Sequence, residues 1–160
     1  MVRLADTPEN LRSHLEQLEC PTFDEQPWVS PPPLEQCRVA IISTAGLQER
    51  GDKPFTLGGD FSAIGEGDYR VIGGDTPAKD IVMSHVSTNF DRSGFQQDVN
   101  VAFPIDRLRE LAEEGAIGSV ADFHYSFMGA SSPEQMKPAV QRLIPLLKKD
   151  AVDVVLLVPI

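Results

Sequence analysis

Few stretches of this 160-residue sequence hold side chains able to move a proton or grip a small polar ligand. His85, within the run Ile81 to Ser87, carries an imidazole that titrates near neutral pH. That suits acid–base work, and it equally suits a histidine that hydrogen-bonds a loop. Asp98 and Asn100 stand two apart before a helix-like stretch. They could orient His85 or a substrate amine, or close an Asx-turn. Asp106 fits a helix cap or a direct role. Arg70 offers a fork for a substrate carboxylate or for a structural ion pair. Met128-Gly129 follows an alternating stretch, and glycine there lets the backbone approach a ligand. His85 is therefore the catalytic candidate. Arg70, Asp98, Asn100, Asp106, Met128 and Gly129 are the candidate substrate-binding positions.

Other chemistries find less support. Asp52, Asp60, Glu66, Asp68 and Asp75 lie in a glycine-rich region, but their spacing fits no EF-hand loop. His85 and His124 form no zinc signature, so no metal site is expected. The glycines include no Gly-Lys-Ser/Thr and no clean Gly-x-Gly-x-x-Gly after a strand, which argues against a phosphate cradle. Cys20 and Cys37 form no Cys-x-x-Cys pair and are read as plain thiols. A thiol protein working through one of them is a remote alternative, because Cys37 starts a strand, away from the expected functional edge.

The elements that must position these residues can be read in order. Thr7-Pro8 can open a helix with a Leu11, Leu15, Leu18 stripe. The proline-dense stretch to Gln36 is expected to be an extended arm anchored by Trp28. Arg38 to Ser43 is the first clear strand, and a long glycine-rich loop follows it, holding a short strand at Tyr69 to Ile72. Ile81 to Ser87 is a further strand candidate. A helix capped by Asp106 buries Leu108, Leu111 and Ala112 and stops at Gly115. In the alternating run that follows, Phe123, Tyr125 and Phe127 share one face, and His124 and Ser126 the other. Ser131 with Glu134 would form a capping box for a helix that Pro138 and Pro145 kink or divide. Val152 to Ile160, nearly all apolar, reads as a strand covered on both faces.

Strands alternating with helices give an α/β fold: a mostly parallel sheet flanked by helices, with the proline-rich N-terminal arm and the long glycine-rich loop. Residues 1–37 form the helix and arm. Residues 38–160 form the main domain, expected to be incomplete at its C-terminus. Hydrophobic content of 41% and charged content of 24% suit one globular domain. A net charge of −10 disfavours nucleic acid and anionic membranes as partners. The charged N-terminus shows no secretory h-region and no run is long enough to span a bilayer, so a cytoplasmic protein is expected.

In open parallel sheets ligands bind beyond the carboxyl ends of the strands, which is where Ile160 would stand. The stretches "GDYRVIGGD", "SHVSTNFDRSGFQQDVNVAFPIDRLRELAEEGAIG", "FMGA" and "VDVVLLVPI" together resemble the selenoprotein B family of glycine, sarcosine, betaine and D-proline reductases. The nearer likeness is to the D-proline reductase selenocysteine subunit. The order and spacing of His85, Asp98-x-Asn100 and Pro104-x-Asp106 carry it.

The resemblance implies an oxidoreductase that cleaves a C–N bond of an amino acid or amine reductively, with a disulfide as acceptor. In the family the strand matching Val152 to Ile160 leads into the catalytic selenocysteine or cysteine. The nucleophile is thus expected just after Ile160, absent from this chain, which alone would be inactive. No cofactor is expected in the chain itself, but a pyruvoyl group could lie on a partner subunit. A thioredoxin-like or dithiol donor would supply electrons, and the bare apolar terminal strand predicts self-association. The alternative is a non-catalytic ligand-binding or subunit-interaction module that has lost the active half.

Overall fold

The computed structural model describes residues 4–17, 22, 24, 26, 29–55, 67–87 and 90–160. Contacts divide the chain into Met1–Ser30 and Pro31–Ile160. In the first unit, α1 spans Glu9–Glu16. The Thr7 hydroxyl donates to the Leu4 carbonyl at 2.6 Å and closes the preceding turn. The side chains of the leucine stripe, Trp28, Cys20 and the heart of the glycine-rich stretch (56–66) lie outside the described residues.

The second unit holds β1 (Arg38–Ser43), β2 (Leu47–Glu49), β3 (Arg70–Gly73), β4 (Ile81–Met83), α2 (Ser93–Gln97), α3 (Ile105–Glu113), β5 (Ser119–Val120), β6 (Phe123–Ser126), α4 (Pro133–Lys149) and β7 (Val154–Val158). β1 is central. It pairs in parallel with β7 from Val39↔Val154 to Ser43↔Val158. Along its other edge it pairs in parallel first with β5 and then with β6. β3 pairs antiparallel with β6, and β2 with β4 forms a separate antiparallel ribbon. The sheet is therefore mixed, which corrects the expectation of a mostly parallel one. Apolar alternation marks a strand without encoding its direction, and an antiparallel edge needs no crossover helix. The strand expected over Ile81 to Ser87 is paired only as far as Met83.

β5 and β6 are one strand course with a break. Between the pairs Val39↔Val120 and Ile42↔Tyr125, β1 advances three residues and its partner five. The excess leaves backbone groups without ladder partners, and side chains take their place. The Ile41 N–H donates to His124 Nδ1 at 3.0 Å. Asp150 Oδ2 accepts from the amides of Asp122 (2.9 Å) and Phe123 (3.2 Å). Arg38 closes the cluster, with Nη2 at 2.6 Å from Asp150 Oδ1 and Nη1 donating to the Val120 carbonyl at 2.7 Å. Sequence alternation placed His124 opposite the aromatic row and gave no hint that it stands in for backbone.

Two apolar layers sandwich the sheet. Val39, Ile41, Phe103, Ile105 and Leu108 pack on one side, and Tyr125, Phe127, Ala139 and Leu143 lie under α4 on the other. Several local expectations change. Asp106 is the second residue of α3, not its cap; the Asn100 side-chain oxygen accepts its N–H at 3.0 Å. Leu111 is 38% exposed, on the edge of the helix's buried stripe. The capping box of α4 is Ser132 with Gln135, one residue later than expected, because Pro133 takes the first helical position. Pro145 and Pro138 do not divide α4. β7 is an edge strand with Leu157 63% exposed, not a strand covered on both faces. Cys37 is fully buried, its Sγ 3.3 Å from the Pro32 carbonyl, and burial raises its pKa, so it is no poised nucleophile.

His124 makes the break sensitive to acid. Burial drives its pKa down from 6.5 to about 4, and accepting the Ile41 N–H requires an unprotonated Nδ1. A histidine depressed in the folded state binds fewer protons than the unfolded chain does. Its contribution is complete above pH 6.5 and disappears as pH falls toward 4. That change is worth about 3 kcal/mol. Equilibrium urea unfolding across this window should show the decline. His124→Leu should cost ~2 kcal/mol at pH 7.5 by orphaning the Ile41 amide, and should flatten the decline between pH 6.5 and 4. An unchanged pH slope in the variant would refute the assignment.

Candidate functional site

The carboxyl ends of β1, β6 and β7 meet at one edge through a lattice of short hydrogen bonds. The Thr44 amide donates to the Val158 carbonyl at 3.1 Å. The Thr44 hydroxyl accepts from the Ile160 amide at 2.8 Å and donates to the Ile160 carbonyl at 3.2 Å. The Gly129 amide donates to the Thr44 carbonyl at 2.8 Å. A methyl group on Gly129 would collide with the Ile160 carbonyl oxygen and stand 3.0 Å from the Thr44 carbonyl oxygen. Glycine is required there by close approach. Gly46 has φ +65°, and a methyl on it would lie 2.6 Å from Met128 Cε and 3.1 Å from His85 Cα. Its absence of a side chain lets the His85 segment lie against the sheet end.

A cavity of about 270 Å³ opens at this edge, lined by His85, Ser87, Phe90, Gly129, Ala130 and Ile160. His85 is 7% exposed. Its Nδ1 accepts the Ser87 amide at 3.1 Å, so in the neutral ring the proton sits on Nε2, which has no partner among the described residues. Burial, helped by the Arg92 guanidinium, lowers its pKa and keeps it neutral at pH 7. Phe90 lies over the ring at 5.0 Å between centroids. Arg92 donates to the His85 carbonyl at 2.5 Å and to the Ser87 carbonyl at 3.1 Å, pinning the loop from outside.

The structure thus brings together two of the sequence candidates, His85 and Gly129, at Ile160. Met128 is fully buried and bridges Ala45 directly behind the cavity. The other candidates do not line it. Asp98 Oδ1 accepts from the Asn100 amide and side chain, at 2.9 and 2.8 Å. The Asn100 side chain also donates to Asp106 Oδ2 at 3.0 Å. Asp106 in turn holds Arg109, which donates to the Gly74 carbonyl. These bonds depress both aspartate pKa values; the Asp98 Asx-turn caps the 3-10 turn Val99–Val101, and Asn100 ties that turn to the first turn of α3. Arg70 stacks over Phe55 at 4.3 Å and donates to the Lys53 carbonyl at 2.8 Å. Sequence reading missed Thr44, Ser87, Phe90 and Arg92. For Ser87 and Phe90 their closeness to His85 was the available signal; Thr44 gave none beyond its place at a strand end.

The cavity, walled by a buried histidine and bare backbone, lies beyond the carboxyl ends of parallel strands, the position at which open α/β sheets bind ligands. The chain belongs to the glycine/sarcosine/betaine reductase selenoprotein B family, whose profile matches residues 10–159. It is 36% identical over 142 residues to the D-proline reductase subunit gamma of Acetoanaerobium sticklandii, covering 81% of this chain and 54% of the relative. It is 28% identical over 149 residues to the glycine reductase complex component B subunit gamma of Carboxydothermus hydrogenoformans, covering 88% and 32%. With the sarcosine reductase complex component B subunit beta of Peptoclostridium acidaminophilum the identity is 30% over 116 residues, covering 70% and 25%. The chain therefore spans about half or less of the length of these curated relatives. No solved structure matches it.

The close approach at Gly129 yields a test. Gly129→Ala should lower unfolding stability by ~2 kcal/mol, as overpacking against rigid backbone does. In hydrogen exchange the Ile160 and Gly129 amides should lose protection while the β3–β6 amides keep theirs. An unperturbed Ile160 amide would show that the edge is not packed this way.

Proposed function

We propose that this chain is part of a reductase of the selenoprotein B type, contributing to reductive C–N cleavage of a small amino acid or amine, of the D-proline or glycine reductase kind. The observation that carries the reading is the meeting of His85 and Gly129 with Ile160 at the carboxyl edge, where the family resemblance puts the nucleophile. In this reading a selenocysteine or cysteine follows Ile160. Its anion attacks the carbon that bears nitrogen; a bond to carbon forms, and the C–N pair leaves with the nitrogen, which takes a proton. A neighbouring thiol then attacks the chalcogen, and the carbon departs with the pair and a proton. A dithiol donor of thioredoxin-like chemistry reduces the resulting chalcogen–sulfur bond and becomes the disulfide.

His85 enters as a donor. Its Nδ1 is engaged by the Ser87 amide, so the neutral ring has an Nε2–H to give and no free lone pair to act as base. None of the described residues that line the cavity is acidic, which favours an anionic nucleophile there. The proposal assigns any pyruvoyl group to a partner subunit and places the protein in the cytoplasm. No helix among the described residues is long and apolar enough to cross a membrane. The second reading, a ligand-holding or subunit-contact module without chemistry, draws on the fact that no described cysteine lines the cavity.

The gene should continue past the Ile160 codon with an in-frame UGA or cysteine codon. Protein extended through that residue, with its partner subunit and a dithiol, should reduce D-proline, glycine, sarcosine or betaine. His85→Phe should lower that turnover by about 100-fold. An inert extended protein, or an authentic terminator after Ile160, decides for the second reading. Self-association belongs to the same proposal, because β7 presents a free edge with Leu157 outward. Light scattering of the 160-residue chain should report a dimer or larger; a monomer at high concentration removes this part.

A further inference from the structure

A second cavity lies at the opposite end of the sheet, where β6 begins and α4 ends. It measures about 380 Å³ and is lined by Val71, Asp122, Phe123, Tyr125, Leu146, Lys149 and Asp150. Its walls are apolar. Val71, Phe123 and Leu146 are each more than a third exposed, and all three converge here. Its floor is Tyr125, 2% exposed, with Tyr69 edge-on at 5.6 Å and Ala139 and Leu143 in the same apolar cluster. Its phenol hydroxyl makes no hydrogen bond to a described residue. Nor is it among the sealed, unpaired atoms, which are the two histidine Nε2 atoms. A buried tyrosine normally satisfies its hydroxyl. Tyr125 lines this cavity, which leaves its hydroxyl available to a ligand there.

The charges around the cavity are unequal in availability. Asp150 is spent on Arg38 and on two backbone amides. Asp122 is paired with the same guanidinium at 2.9 Å. Lys149, in the last turn of α4, has no ion-pair partner among the described residues. An apolar chamber with one uncommitted hydroxyl at its floor and one uncommitted ammonium at its rim has a definite complement. We propose that this cavity binds a small monocarboxylic acid with an apolar or aromatic body. The body fills the space between Val71, Phe123 and Leu146, and the carboxylate accepts from the Tyr125 hydroxyl and the Lys149 ammonium. The two aspartates disfavour dianions such as phosphate esters. This site is separate from the carboxyl-edge cavity and does not depend on the reductase reading.

The test uses the chain as it stands, labelled at Val and Leu methyl groups, with phenylacetate as probe and phenethylamine as its cationic counterpart. Phenylacetate should shift the Val71 and Leu146 methyl resonances saturably and leave Ile160 and Gly129 amides unmoved. Tyr125→Phe, which keeps the ring and its packing, and Lys149→Gln should each weaken binding about tenfold, the loss of one hydrogen bond to a charged group. Absence of a saturable shift overturns the proposal. So does phenethylamine binding as tightly as phenylacetate, or an unchanged affinity in Lys149→Gln.

Discussion

β1 is hydrogen-bonded along both edges, and the partner on one edge is two residues too long for it. That mismatch organises the domain. The surplus between Val120 and Tyr125 has to leave the ladder, and in a dry interior each abandoned N–H must find another acceptor. His124 Nδ1 and the Asp150 carboxylate supply them. Asp150 is also the residue that ends α4, and Asp153, three residues on, accepts the Arg38 amide at 2.9 Å. The break in one strand, the stop of the last helix and the start of β7 are therefore a single construction. Removing any one charge from it would strand the others in a partly buried setting, which is costlier than never having built the pair.

The two ends of the sheet are consequently different environments. At the amino end of β1, Arg38 gathers Asp122 and Asp150, and order comes from ion pairs. At the carboxyl end, order comes from backbone groups and the Thr44 hydroxyl. For a chain of net charge −10 this matters. The acidic side chains of the clamp, Asp122 and Asp150, are held at the far end, where the single Arg38 guanidinium offsets part of their charge.

The sequence disclosed α3 and β6 because those segments carry their own period: Leu108 and Ala112 on one stripe of α3, and Tyr125 and Phe127 alternating with His124 and Ser126; the short α2, Ser93–Gln97, carries none and is not legible there. It also pointed to His85 and Gly129, since a lone histidine near a turn and a glycine after a strand are visible in isolation. What it hid is relational. The direction of β3 depends on which neighbour accepts it, and nothing in Arg70–Gly73 records that. The apolar run of β7 reads the same whether one edge or two are covered, so Leu157 looked buried until its neighbours were known. Asp98, Asn100 and Asp106 looked like a polar site because the residues that make an Asx-turn are also the residues that hold substrates; only their mutual hydrogen bonds separate the two.

The same geometry assigns different tasks to the two sides of the carboxyl-edge cavity. On the Gly129 side the wall is backbone packed against the Ile160 and Thr44 carbonyls, with no room even for a methyl group. That side can position a group by shape but cannot be tuned by side-chain exchange. On the opposite side stand His85, Ser87 and Phe90, on a loop whose carbonyls are pinned by Arg92 rather than by the sheet ladder. The Phe90 side chain can change size there without breaking a strand, whereas the His85 ring also holds the Ser87 amide. The shape of the cavity is therefore variable on the side of His85, Ser87 and Phe90, and fixed on the glycine side.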